Sequence, residues 1–176
     1  EKTNKIQNNT NTLLILGSNV SIPDREIENF LSKGGKILFL AREERNAPLG
    51  VILKQKTDFC GSLNIPDWIE TNGLSASDLR ARVPYSAWLI DSGAEIGSDG
   101  MIGIKKYGSS GIAVFCQINP IWLNADEKTY LRYTRWRHTR CISQLLANLG
   151  AKFLNDNKIF NPSNEKLSIS LAGQWK

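Results

Sequence analysis

The sequence is poor in the residues that do chemistry. Histidine occurs once, at His138, methionine once, at Met101, and cysteine only three times in 176 residues. Cys60, Cys116 and Cys141 are odd in number and widely spaced, with no C-x-x-C pair, which excludes a disulfide framework. One imidazole is too few for a cysteine–histidine zinc site, and neither a metal nor a cofactor is expected. Cys116 lies in the apolar run 112–118 and Cys141 on a helix face, so both read as small buried hydrophobes. No apolar run approaches the ~20 residues of a membrane-spanning helix. A G-x-S-x-G elbow is missing, and Gly108-Ser109-Ser110-Gly111 lacks the spacing and lysine of a phosphate loop. Neither zinc-finger spacing nor an RNP-type aromatic motif is present, which argues against a nucleic-acid partner.

What remains is an ordinary globular composition, 41% hydrophobic and 22% charged, long enough for one domain with a real core. Residues 1–11 are polar and Asn-rich and read as a linker. Residues 12–17 (T-L-L-I-L-G) are a short continuous apolar run, which suits a strand buried on both faces. Ser21, Pro23, Asp24 and Glu26 then read as the cap and first turn of a helix. Its buried stripe is Ile27, Phe30 and Leu31, and Gly34-Gly35 ends it. Residues 36–41 (K-I-L-F-L-A) give a second buried strand. Strand, helix, Gly-Gly, strand is a βαβ unit, which predicts a parallel sheet.

Residues 42–86 show no sustained period and are punctuated by glycine and proline, so they predict an ordered excursion. Within it, Ser75 and Asp78 match the S-x-x-D helix-start signal. The runs 101–107 and 112–118 flank G-S-S-G, predicting an antiparallel hairpin whose glycines supply positive φ. A long helix capped by Asn124 or Asp126 runs to Gly150, with Tyr130, Tyr133, Cys141, Leu145 and Leu149 at apolar spacing. Residues 155–164, Asn-rich with Pro162, read as a second linker.

Net charge is +5, and the excess is concentrated: Lys128, Arg132, Arg135, Arg137 and Arg140 fall within thirteen residues, balanced locally only by Asp126 and Glu127. At ~100° per residue, Arg132, Arg135, Trp136 and Arg140 occupy one arc of roughly 140°. They are the candidate docking surface; the plainer reading is a solvated helix face. The tryptophans invite a second reading, since aromatic faces stack on sugars but also serve cores and interfaces. Trp68 and Trp88, with Asp91 and Glu95 following the W-L-I run at a strand end, are the candidate sugar contacts. Trp122 and Trp136 fit packing or docking equally well.

Residues 165–176 (E-K-L-S-I-S-L-A-G-Q-W-K) alternate Leu167, Ile169 and Leu171 with serines and then turn into Trp175. That is a half-buried strand with no partner strand after it. The segment resembles the L-x-G-x-W opening of the jelly-roll sugar-binding domain in family 2 glycoside hydrolases and related β-galactosidase-like proteins. With a start at Glu1 and no initiator methionine, the chain reads as a module cut from a longer polypeptide. The absence of a leader then says nothing about export. The pattern I-x-x-F-L-x-x-G-G-x-I-L-F-L at 27–40 resembles the class I glutamine amidotransferase-like (flavodoxin-like) domain embedded in many large glycosidases. The likeness spans residues 15–150.

This resemblance implies an α/β three-layer sandwich with a mainly parallel sheet over 12–154, plus the hairpin near 101–118. Residues 165–176 would then be the truncated first strand of a following jelly-roll domain. Working amidotransferases use a cysteine in G-x-C-x-G, with histidine and glutamate downstream, because the elbow leaves no room for flanking side chains. Here Cys60 has Asp58 and Ser62 at those positions, and Cys116 has Val114 and Ile118. His138 falls inside the Arg-rich helix. The resemblance therefore implies the fold without the activity. It points to a non-catalytic accessory module of a glycoside hydrolase that positions domains, mediates oligomer contacts or shapes a substrate cleft. Its partners would be neighbouring domains of the same polypeptide, further copies of itself, or carbohydrate. A carbohydrate- or small-molecule-binding module is the second reading, and an independent hydrolase the third. The parent's location, periplasmic or extracellular if exported, stays open.

Overall fold

The computed structural model describes residues 12–18, 20–119 and 129–152. The linkers at 1–11 and 155–164, the strand at 165–176, Trp122, and the caps Asn124 and Asp126 lie outside the described residues. The first unit forms as the hydrophobic pattern requires. Strand β1 (Leu13–Leu16) leads through helix α1 (Asp24–Ser32) to β2 (Lys36–Phe39), and the two strands pair in parallel from Leu13↔Lys36 to Leu16↔Phe39. Helix α1 buries Ile27, Phe30 and Leu31. Its N-cap is Pro23 rather than Ser21, with no side-chain cap bond. Asp24 and Glu26 in the first turn complement its dipole instead.

Strand β8 (Gly111–Cys116) joins the other side of β2 in parallel, placing Phe39 opposite Phe115 with their rings stacked at 4.5 Å. Gly111 is required by close approach: a Cβ there would lie 1.9 Å from the Leu31 carbonyl oxygen, where α1 ends against the sheet. Beyond β8 the direction reverses. Strands β7 (Ile102–Tyr107) and β6 (Glu95–Gly97) add in antiparallel register, giving the order β1-β2-β8-β7-β6. Of the hairpin glycines, only Gly108 adopts positive φ.

The stretch read as an irregular excursion builds a second sheet. Strand β3 (Asn46–Ala47) pairs with β4 (Val51–Phe59), and β4 with β5 (Tyr85–Ser92), all antiparallel. A mainly parallel, three-layer flavodoxin-like sandwich is therefore not what the chain forms. Among the described residues there are one mixed sheet, one antiparallel sheet and two parallel pairings only. The physical reason lies in connection length. A parallel neighbour needs a crossover of about a dozen residues or more; the short links within 46–59 and 95–116 allow only reversal, and β5 returns antiparallel to β4 after the longer connection at 60–84.

The last helix, α3 (Arg132–Asn148), follows a 3-10 turn at Thr129–Leu131. Cys141, Leu145 and Leu149 pack on one face of the first sheet with Leu38, Ile112, Val114 and Cys116. Helix α1 covers the opposite face with Ile37, Phe39, Ala113 and Phe115. The alternation along β2 and β8 thus divides one core into two.

Candidate functional site

Helix α3 turns Cys141, Leu145 and Leu149 of the expected stripe inward but not its two tyrosines. Tyr133 is 66% exposed and Tyr130 is 39% exposed, while Leu131, Thr134, His138, Cys141 and Leu145 are buried. These five recur every three or four residues, so the stripe is helical but runs through polar residues. Each inward polar group has local work. Thr134 Oγ1 accepts from the Arg82 backbone N–H at 3.3 Å. His138 donates to the Leu79 carbonyl, its Nε2 has no hydrogen-bond partner among the described residues, and burial lowers its pKa to about 4. It is a neutral packed imidazole at pH 7.

The two other groups weighed for catalysis are equally occupied or misplaced. The Cys116 and Cys141 thiols share a hydrogen bond across the β8–α3 contact, which together with burial pushes Cys141 well above the ordinary thiol range. Cys60 follows β4, and its carbonyl accepts from the Ala81 N–H at 3.0 Å. The next residue, Gly61 (φ +93), is forced: a Cβ there would sit 2.0 Å from the Leu79 carbonyl oxygen.

The four candidate docking residues separate. Arg140 turns inward: Nη1 donates to Asp78 Oδ2 at 2.5 Å and Nη2 to the Gly73 carbonyl at 3.0 Å. Asp78 is buried and also accepts from the Ser75 N–H (2.8 Å) and hydroxyl (2.9 Å), at the start of the short helix α2 (Ala76–Leu79). Two turns further on, Asn148 Nδ2 donates to the carbonyls of Glu70 and Asn72. The C-terminal half of α3 is thereby stapled to residues 70–78. Arg135 is half-buried, and its carbonyl accepts from the Thr139 hydroxyl.

Arg132 and Trp136 do face outward, Trp136 with 70% of its surface exposed. They line a recess of about 560 Å³ with Thr129, Tyr130 and Tyr133. A neighbouring recess of about 510 Å³ shares both tyrosines and adds Arg80, Arg82 and Arg137. Arg82 lies over the Tyr130 ring at 5.8 Å, a cation–π contact that holds one wall. Among the described residues, no carboxylate lines either recess and none of these arginines forms an ion pair. The described part of this surface has four guanidinium groups and three aromatic rings. Its attractive field is directed at anions, and planar guanidinium forks suit carboxylates.

Sequence reasoning missed Arg80, Arg82, Arg137 and the two tyrosines as parts of this surface. Arg80-Ala81-Arg82 lay in the stretch taken as irregular, and Tyr130 and Tyr133 were placed in the buried stripe. The signal that separates them is angular. At ~100° per residue Tyr133 stands roughly 80° round the helix from Cys141, against about 20° for Thr134 and about 60° on the other side for His138; Tyr130 belongs to the 3-10 turn before α3, where that spacing does not apply.

The four candidate sugar contacts also divide. Trp68 Nε1 donates to Glu95 Oε1 at 2.8 Å, and the indole packs over Gly97, where a Cβ would lie within 2.7 Å of the ring. That pair ties the 66–71 turn to β6. Trp88 and Asp91 instead line one groove on the second sheet with Arg45, Lys54 and Gln55. At the C-terminal ends of the parallel strands, Arg42 is buried and donates to the Gly17 and Val20 carbonyls, closing the turn after β1. No protein-family model matches the chain, and no curated protein sequence does. Among the described residues, no helix is long and apolar enough to cross a membrane.

Proposed function

We propose that the chain is a non-catalytic accessory module of a larger glycoside hydrolase, acting by docking onto an acidic surface of a neighbouring domain in the same polypeptide. One observation carries the reading: Arg80, Arg82, Arg132 and Arg137 surround Tyr130, Tyr133 and Trp136 at the start of α3, with no carboxylate among the described residues that line the two recesses. Interfaces favour this arginine–aromatic composition, with the rings as anchors and the guanidinium groups setting register. A symmetric contact between two copies through the same face would set arginine against arginine, which costs association energy. A partner rich in aspartate or glutamate removes that cost. The catalytic reading has less support, because Cys116 and His138 are committed to packing and internal hydrogen bonds.

The test is a titration of the chain with the adjoining domain, at ionic strengths from about 0.05 to 0.5 M. Affinity falls steeply with salt, and Arg132→Glu with Arg137→Glu abolishes the salt-sensitive part. Association that ignores both salt and charge reversal removes the proposal.

A further inference from the structure

The groove on the second sheet has a different chemistry from the α3 surface. Trp88 on β5 stands directly opposite Gln55 on β4, so both side chains share one face of the sheet. The indole is half-buried and packs against the core cluster that holds Leu53 and Ile90. Its plane is therefore fixed before any ligand arrives, which lowers the ordering cost of binding. Around it, Arg45, Lys54, Gln55 and Asp91 rim a recess of about 390 Å³, within the ~300–1,000 Å³ usual for small-ligand sites. Arg45 only donates hydrogen bonds and Asp91 only accepts, while Lys54, paired with Leu89, turns its ammonium to the other face. Gln55 Nε2 is engaged with the Ser86 hydroxyl at 2.9 Å, which leaves its carbonyl oxygen as a further acceptor.

We propose that this groove binds a neutral carbohydrate, one pyranose ring stacking on Trp88 while its hydroxyls are held by Arg45, Gln55 and Asp91. Two features select this ligand class. Sugar hydroxyls donate and accept at once, and the rim offers both halves of that exchange side by side. A cation and an anion are mixed here, so an acidic ligand gains less than it does on the all-cationic α3 surface. The apolar face of a pyranose matches a fixed indole, as it does not match a flexible side chain. The site lies on β4 and β5, away from the docking residues, so either proposal can fail without the other.

The experiment uses the 176-residue chain, labelled with 15N and titrated with lactose, cellotetraose and mannotetraose, up to about 20 mM to capture millimolar affinities. Glycerol serves as a polyol without a ring face, and a heparin tetrasaccharide as an anionic glycan. Saturable shifts at Arg45, Lys54, Gln55, Trp88 and Asp91 with a neutral oligosaccharide, and none with glycerol, are expected. Asp91→Ala weakens that binding about five- to tenfold, the loss of one or two hydrogen bonds. Trp88→Leu keeps an apolar filler against the core and abolishes binding while the spectrum stays folded. Should Trp88→Leu unfold the chain, Gln55→Ala in place of it must weaken binding as Asp91→Ala does. The proposal is overturned if none of the three neutral sugars shifts these residues, if glycerol shifts them equally, or if only heparin binds.

Discussion

The two halves of α3 carry the same kind of side chain to opposite ends. In the C-terminal half, Arg140 meets a buried carboxylate and a backbone carbonyl, and Asn148 caps two more carbonyls. In the N-terminal half, Arg132 and Arg137 meet aromatic rings and further arginines. The first set spends its hydrogen-bonding capacity holding residues 70–78 against the helix. Among the described residues the second set forms no ion pair, and the proposed docking rests on that. The first half carries Arg132, Arg135 and Arg137 and the second only Arg140, but what separates their roles is what the fold places opposite each. A basic residue becomes structural where the fold sets a buried acid against it, as it does for Arg140 and Asp78.

The largest effect expected from breaking this contrast is on the inward side, at His138. Its folded pKa of about 4 lies below the ordinary 6.5, so the unfolded chain binds more protons between those values. Stability therefore declines as pH falls from about 6.5 to about 4, by ~3 kcal/mol for a shift of that size. Urea unfolding of the wild type and of His138→Gln across this range measures it. The difference between the two should shrink steadily with acid; parallel curves would contradict the burial of a neutral imidazole.

Next in size is the staple itself. Arg140→Ala leaves the buried Asp78 with only its Ser75 contacts, and unfolding free energy should drop by about 2 kcal/mol, less than for a fully buried pair because Arg140 is partly exposed. Arg132→Ala and Arg137→Ala, in contrast, should each cost under about 0.5 kcal/mol, the usual range for surface substitutions. Equal costs in the two sets would erase the distinction. A smaller effect still is expected at Asp99, which holds φ +55 in the turn between β6 and β7. Asp99→Gly should be neutral or stabilising by a few tenths of a kcal/mol, since relief of left-handed strain offsets the added chain entropy.

The sequence makes the βαβ start legible because apolar runs of four to six residues, a helical stripe and Gly34-Gly35 all agree there. The hairpin at 102–116 is legible for the same reason: two strand-like runs meet at a glycine turn. Strand β4 is not, because only Val51, Leu53 and Phe59 of its nine residues are buried and its centre is exposed and polar. A β-bulge between Lys56 and Phe59, with Asp58 at positive φ, breaks its alternation further. Without β4, the pairing that sets Gln55 beside Trp88 is invisible, and so is the groove. Trp88 and Asp91 were identifiable as residue types suited to sugar, but Trp68 and Glu95 were equally so. Only the hydrogen bond between the latter two shows that they serve the fold. In α3, Arg140 looked like Arg132 because its acid, Asp78, lies sixty-two residues away in sequence.

The central claim is that the start of α3 is built for a partner and the end of α3 for the fold. The most direct measurement compares Arg132→Glu/Arg137→Glu with Arg140→Glu, each assayed for its unfolding midpoint and for its affinity toward the adjoining domain. The account predicts that the first variant keeps the wild-type midpoint and loses at least about tenfold in affinity, or ~1.4 kcal/mol, while the second loses stability. An Arg132→Glu/Arg137→Glu variant that binds as the wild type does, or that unfolds as readily as Arg140→Glu, would contradict it.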